Sequence, residues 1–205
     1  MENFFAYIDK GGLIFIFLFF LSLITVSIII FKFLEIYFFN KMDFSKELQI
    51  IENHNTNSEN IVSRDDLLSI TSDSKRKFLK NLFLILDTDK PKNILEEEIN
   101  IFVGREFKKI QKFLPSLEII AQASPLVGLL GTVIGMIDSF NELEIGGSLV
   151  DPSILAGGIW TALLTTAMGL IVAIPALVSN YFFEKKINFQ YENLNILLKK
   201  LIFYP

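Results

Sequence analysis

Residues 128–140 read GLLGTVIGMIDSF, a stretch apolar enough for a membrane, yet with three glycines and a threonine where a helix merely anchored in lipid would hold leucine. The apolar character extends on both sides of it. Residues 119–137 run for 19 positions without a charge, and residues 13–31 and 153–181 are further uncharged runs of 19 and 29. Each is long enough to cross a hydrocarbon core of roughly 30 Å at about 1.5 Å per residue. Unpaired backbone groups are costly in lipid, and the runs are too long for barrel strands, so all three crossings are expected to be helices.

Composition agrees with this reading. Of 205 residues 51% are hydrophobic and 21 are phenylalanine, more apolar surface than a soluble domain of this size can hide. The absence of cysteine rules out a disulfide framework and a thiolate metal site. The single histidine, His54, sits in the polar run ENHNTNSEN and reads as a solvated loop residue, not a ligand. A net charge of -4 gives no reason to expect nucleic-acid binding. No nucleotide-binding loop, metal cluster or nucleophile with its base is present, so neither an enzyme nor a cofactor is expected.

The charges set the orientation. Of the 19 Lys and Arg, only Lys10 precedes the first run, and the other 18 fall at 32–112 or 185–200. By the positive-inside rule the N-terminus and the 141–152 connection lie outside, and the 32–116 segment and C-terminal tail lie in the cytoplasm. The expected organisation is therefore an all-α membrane protein, N-out and C-in: an outer N-terminus at 1–12, crossings at 13–31, 117–140 and 153–181, a cytoplasmic helical region at 32–116, an outer loop at 141–152 and a C-terminal cytoplasmic helix at 182–205. The segment before the first run is not basic and no small-residue cleavage site follows it, so the run reads as a retained anchor.

The cytoplasmic parts have helical patterns of their own. Residues 43–52 and 64–70 read as short helices, and a serine or aspartate caps a further helix that Pro91 closes. From Asn93, Leu95, Ile99, Phe102, Val103, Ile110, Phe113, Leu114 and Leu117 share one face, which predicts an amphipathic helix running into the second crossing with a bend near Pro115. The tail places Ile187, Tyr191, Leu194, Leu198 and Leu201 at three- and four-residue spacing. The two amphipathic helices can pair with each other or with neighbouring copies.

The first crossing is bulky and suits lipid on most sides; the other two are rich in small residues that let membrane helices approach closely. On the second, Ser124, Gly128, Thr132 and Met136 form a row, with Gly131, Gly135 and Ser139 beside it. On the third, Thr161, Thr165, Gly169 and Ala173 form a row, with Gly158, Ala162, Thr166 and Leu170 beside it. Packing alone explains glycine rows, and a membrane threonine often bonds its own backbone three or four residues back. A polar seam shared by two helices is more than packing needs, and fits an ion route or a partner helix. Pro125 and Pro175 each delete a backbone donor, which is tolerated where protein or a wet cavity meets the backbone. Neither crossing has a titratable group near its middle, so proton movement requires a partner to supply one. The competing reading is a non-conducting scaffold assembled through its glycine faces.

ASPLVGLLGTVIGMIDSF (123–140) followed by AGGIWTALLTTAMGLIVAIPALVSNYFF (156–183) resembles the two core helices of the ExbB/TolQ/MotA family of ion-driven motor proteins, closest to its three-helix ExbB and TolQ branch. The resemblance implies a homopentamer in the bacterial inner membrane, its outer side facing the periplasm. The five copies would surround a dimer of single-span ExbD- or TolR-like helices whose aspartate carries the ion, with work passed to a TonB- or TolA-like transducer. Thr132 and Thr166 match the family's pore-facing threonines, and Pro125 and Pro175 its motif prolines. Thr161 stands where the family usually has glutamate, and an added hydroxyl beside Thr165 suits sodium, whose ligands are oxygen atoms.

Overall fold

A computed structural model describes residues 2–38, 77–86, 88, 90–146 and 152–203. The short helices expected at 43–52 and 64–70, the cap expected before residue 77, and His54 lie outside the described residues. Every regular element described is a helix: α1 (Glu2–Phe38), α2 (Lys77–Leu86), α3 (Lys92–Ile110), α4 (Leu114–Gly146) and α5 (Pro152–Phe203). Three stretches are long and apolar enough to cross a membrane, Gly12–Ile36, Leu114–Ile145 and Leu155–Lys199, each containing an 18-residue window whose mean hydropathy is 3.1, 1.7 and 2.1 respectively. The chain folds as two units, one of residues 1–34 with 113–183, the other of 35–112 with 184–205.

In the first unit α1 breaks at Gly12, whose φ of 62° falls in the left-handed region that glycine enters without a Cβ clash. Beyond it a single stripe, Phe15, Leu18, Thr25 and Lys32, is buried. The rest of the helix leaves Leu13, Phe17, Phe20, Ile24, Ile30 and Phe33 exposed, a surface too apolar for water and natural for lipid. Thr25 and Ser27 give their hydroxyl protons to the carbonyls of Leu21 and Leu23, 2.8 Å away in each case, and so add no unmet donor to this helix. Such a surface on three spanning helices is that of a multi-pass membrane protein.

The sequence predicted one helix running through residue 113 into the second crossing, and here the structure differs. α3 ends at Ile110, residues 111–113 turn, and α4 starts at Leu114. Pro115 explains the break: it has no N–H for the Gln111 carbonyl, and its ring would clash with that group, so the helix stops ahead of the proline instead of bending at it. Phe113 takes a φ of 74°, a conformation that disfavours a side chain by about 1–2 kcal/mol. Its ring lies edge-on to Phe31 of α1, centroids 5.8 Å apart, a contact that offsets about 0.5–1.5 kcal/mol of that strain.

In the second unit Ile99, Val103 and Phe107 form the buried stripe of α3, and Ile187, Leu194, Leu197 and Leu198 that of α5. Phe107 meets Tyr191 edge to face at 5.0 Å, so the two amphipathic helices pair within one chain. Phe78 of α2 stacks on Phe102 at 5.3 Å, and Leu82 is fully buried. Pro91 opens α3 instead of closing α2: its carbonyl accepts from the Ile94 and Leu95 amides, whereas the last turn of α2 is tied by Thr88, whose hydroxyl and amide both reach the Ile85 carbonyl.

Candidate functional site

α4 and α5 form an antiparallel hairpin, and its seam can be followed from one end to the other. A Cβ on Gly169 would stand 2.6 Å from the Ser124 carbonyl oxygen and 3.2 Å from Gly128 Cα, and one on Gly128 would stand 3.3 Å from Gly169 Cα. The two backbones meet here with no side chain between them. Next along the seam, Gly131 leaves a socket filled by Thr165, whose hydroxyl oxygen would lie 2.5 Å from a Cβ at that glycine. Gly135 then makes an ordinary 3.5 Å contact with Ala162, and at the far end Ser139 occupies the place that a Cβ on Gly158 would need. Small residues stepping by three and four on both helices allow this closeness, since any larger side chain would part them.

The seam draws on both rows of each helix. Ser124, Gly128, Gly131, Gly135 and Ser139 serve α4, and Gly158, Ala162, Thr165 and Gly169 serve α5. Ala173 is buried further along α5, Pro125 is half-buried within α4, and Pro175 is exposed within α5.

The candidate threonines therefore divide. Thr165 is enclosed at 2% exposure; its hydroxyl donates to Ala162 O at 2.7 Å and lies 3.3 Å from Gly128 O. Thr161 sits one turn earlier on the same strip and is half-buried. Thr166 lies on the other side of the seam, with its hydroxyl 3.5 Å from Gly128 O, a long and weak bond. Thr132 stands one turn beyond Gly128 on the same face, half-buried, and donates to Leu129 O at 2.7 Å. Thr165 and Thr166 both reach the Gly128 carbonyl, and Thr165 alone fills the Gly131 socket.

The direction of these bonds decides the chemistry. Ser124, Thr132, Ser139 and Thr165 all give their protons to carbonyls of their own helix, at 2.6–2.7 Å. Each hydroxyl has only one proton, so what remains for an approaching group is oxygen lone pairs. Of these four hydroxyls, those of Ser124, Ser139 and Thr165 are enclosed in the seam, and Thr132 alone is half-buried.

Two further residues escape the sequence reading. Lys32, the first charge after the opening run, is fully buried on the inward stripe of α1, and its spacing of seven from Thr25 was the signal that could have found it. Asn180 is buried on α5, and its side-chain oxygen meets no hydrogen-bond donor among the described residues.

Fold and site together define a class: a multi-pass helical membrane protein built on a close-packed hairpin of small and hydroxyl-bearing residues. The chain belongs to the MotA/TolQ/ExbB proton channel family, whose family model matches residues 70–195. It is similar to the biopolymer transport protein exbB1 of Vibrio cholerae, 36% identical over 85 residues that cover 42% of this chain and 37% of that one. The putative biopolymer transport protein ExbB-like 1 of Synechocystis is 47% identical over 76 residues, 36% of this chain and 30% of that protein. The Tol-Pal system protein TolQ of Haemophilus influenzae is 32% identical over 106 residues, 50% of this chain and 46% of that one. The matched stretch spans less than half the length of each of these relatives.

Proposed function

We propose that the chain is the stator subunit of an ion-driven complex of ExbB–ExbD or TolQ–TolR type in the bacterial inner membrane, without enzymatic activity. Five copies, N-out and C-in, surround two single-span ExbD- or TolR-like helices, and ion flow between ring and centre energises a TonB- or TolA-like partner. The ring crosses the membrane with the Gly12–Ile36 helix toward lipid and the α4–α5 hairpin toward the centre.

The observation that carries this reading is the pairing of a hydroxyl-bearing face with the lack of any acid. Thr132 and Thr166 bring half-buried hydroxyls to the hairpin, and no Asp, Glu, Lys, Arg or His lies between Glu118 and Asp138 or between Asp151 and Glu184. Such a face can conduct a proton only past a partner's carboxylate. Thr132 and Thr166 are assigned to the wall of the ion path. Thr165 acts by holding the hairpin closed, and Thr161 supplies the oxygen that distinguishes this chain's path.

The test is to purify the chain with and without its single-span neighbour, measure the mass of each complex, and record ion uptake into vesicles. A five-to-two complex is expected, with uptake lowered in Thr132→Val and Thr166→Val. A monomer or dimer that ignores the neighbour, or no uptake above that of empty vesicles, would favour the non-conducting scaffold, and full uptake in both valine variants would remove Thr132 and Thr166 from the path. Comparing uptake in sodium-free and sodium-containing media identifies the coupling ion.

A further inference from the structure

Two polar groups lie on the outer faces of the hairpin, away from its seam. On α4, Gln122 is exposed, with the exposed side chains of Ile119 and Leu126 beside it on the same face. Its carboxamide nitrogen gives one proton to Glu118 Oε1 at 3.3 Å and has a second still to give. On α5, Pro175 has no N–H for the carbonyl of Ile171 four residues earlier, and Ile171, Ile174 and Pro175 are all exposed. In lipid both groups are costly: a carboxamide proton without an acceptor, and a backbone carbonyl without its helical donor.

The two groups share one depth. Gly169 stands against Ser124 across the seam and the helices run antiparallel, so Ile171, two residues on, is level with Gln122, two residues back, to within about a turn. Two residues are also about 200° of rotation, which carries both groups from the seam to the backs of their helices. Within one chain they face away from each other. Copies arranged about an axis normal to the membrane keep every residue at its own depth, and hairpins repeated round that axis set the back of α4 against the back of the next copy's α5. We infer that the Gln122 carboxamide donates its second proton to the Ile171 carbonyl of the neighbouring copy, so that these two backs are the contact between copies. Each group supplies what the other lacks, in a setting where water cannot. The inference rests on the ring of the proposed function and names the bond that joins its members.

The test uses the full chain with its single-span partner in membranes. The sequence has no cysteine, so introduced pairs react without background. Gln122→Cys combined with Ile171→Cys, treated with a short bifunctional maleimide, is expected to give a ladder of up to five copies on a denaturing gel. Gln122→Cys combined with Leu163→Cys, also exposed but about 12 Å away in depth, is expected to stay monomeric. The bond itself is read without cysteines, in the thermal midpoint of the complex. Gln122→Leu is expected to lower it by about 2–4 °C, the effect of losing one hydrogen bond. Pro175→Ala returns an amide donor to the Ile171 carbonyl, and in that background Gln122→Leu is expected to change nothing. A monomeric 122/171 pair in a complex whose mass is five-to-two overturns this inference alone. So does an unchanged midpoint in Gln122→Leu, or an equal fall with and without Pro175→Ala. If the mass shows no ring, the proposed function fails and this inference with it.

Discussion

Replacing Gly128 by alanine is the sharpest available perturbation of the hairpin. The added Cβ would stand 2.8 Å from the Thr165 carbonyl oxygen and 3.1 Å from Thr166 Cα. These are backbone atoms, so no side-chain rotation relieves the overlap. Ordinary contact begins at 3.4 Å, so α4 and α5 must part by about 0.6 Å at this level. Overpacking of this kind costs about 1–3 kcal/mol, and the better helix propensity of alanine offsets up to about 1 kcal/mol. The net loss, about 1–2 kcal/mol, should appear as a fall of about 2–8 °C in the thermal midpoint of the detergent-solubilised complex. Gly157→Ala is the control: nothing lies within 4 Å of its Cβ, and its midpoint is expected to hold or rise. Parting the helices also draws Thr166 away from the Gly128 carbonyl, so ion uptake falls in the first variant and not in the second. If Gly128→Ala melts together with Gly157→Ala, the two helices do not meet backbone to backbone and the seam as described is refuted.

Phe113→Gly and Phe113→Ala both lose the ring contact with Phe31, but only glycine accepts a φ of 74° without strain; the glycine variant is expected to be the more stable by about 1 kcal/mol, and equal midpoints would refute a strained turn. Thr165→Val keeps the shape that fills the Gly131 socket and removes its hydroxyl from the Ala162 carbonyl. A loss of about 1 kcal/mol with uptake preserved is expected, whereas a loss of uptake as large as in Thr166→Val would return Thr165 to the path wall. Leu194→Ala, at a fully buried position of the second unit, is expected to cost about 2–5 kcal/mol and to speed amide hydrogen exchange in α3 and in α5 beyond residue 184. Unchanged exchange there would mean that the two segments do not pack on each other.

The spanning helices were legible because length without charge is a strong signal, and the small residues of the hairpin because their spacing is regular. Which of two adjacent rows meets the partner was not legible. Rows beginning at Gly128 and Gly131 lie close together on one helix, and both contribute to the seam once the helices touch. The same closeness hid the division of the threonines: Thr165 and Thr166 are neighbours in sequence and both hydroxyls reach the Gly128 carbonyl, but only Thr165 is enclosed, in the socket that Gly131 leaves on the opposite helix. Pro115 signalled a break, but its place depended on Phe113 accepting an unfavourable conformation beside Phe31, a contact across 82 positions of chain that local propensity cannot report. Asn180 offered no local signal, because whether an amide finds a donor depends on what surrounds it.

The sockets at Gly131 and Gly158 also bear on how this hairpin can change over evolutionary time. Each glycine is fitted to one particular hydroxyl side chain on the opposite helix, Thr165 for the first and Ser139 for the second. A larger residue at either glycine is tolerable only if its opposite number shrinks, so Gly158→Ser is expected to damage the protein alone and to be rescued by Ser139→Gly. Drift in these two crossings should therefore proceed by reciprocal exchange, leaving the volume shared between the helices constant while the residues trade places.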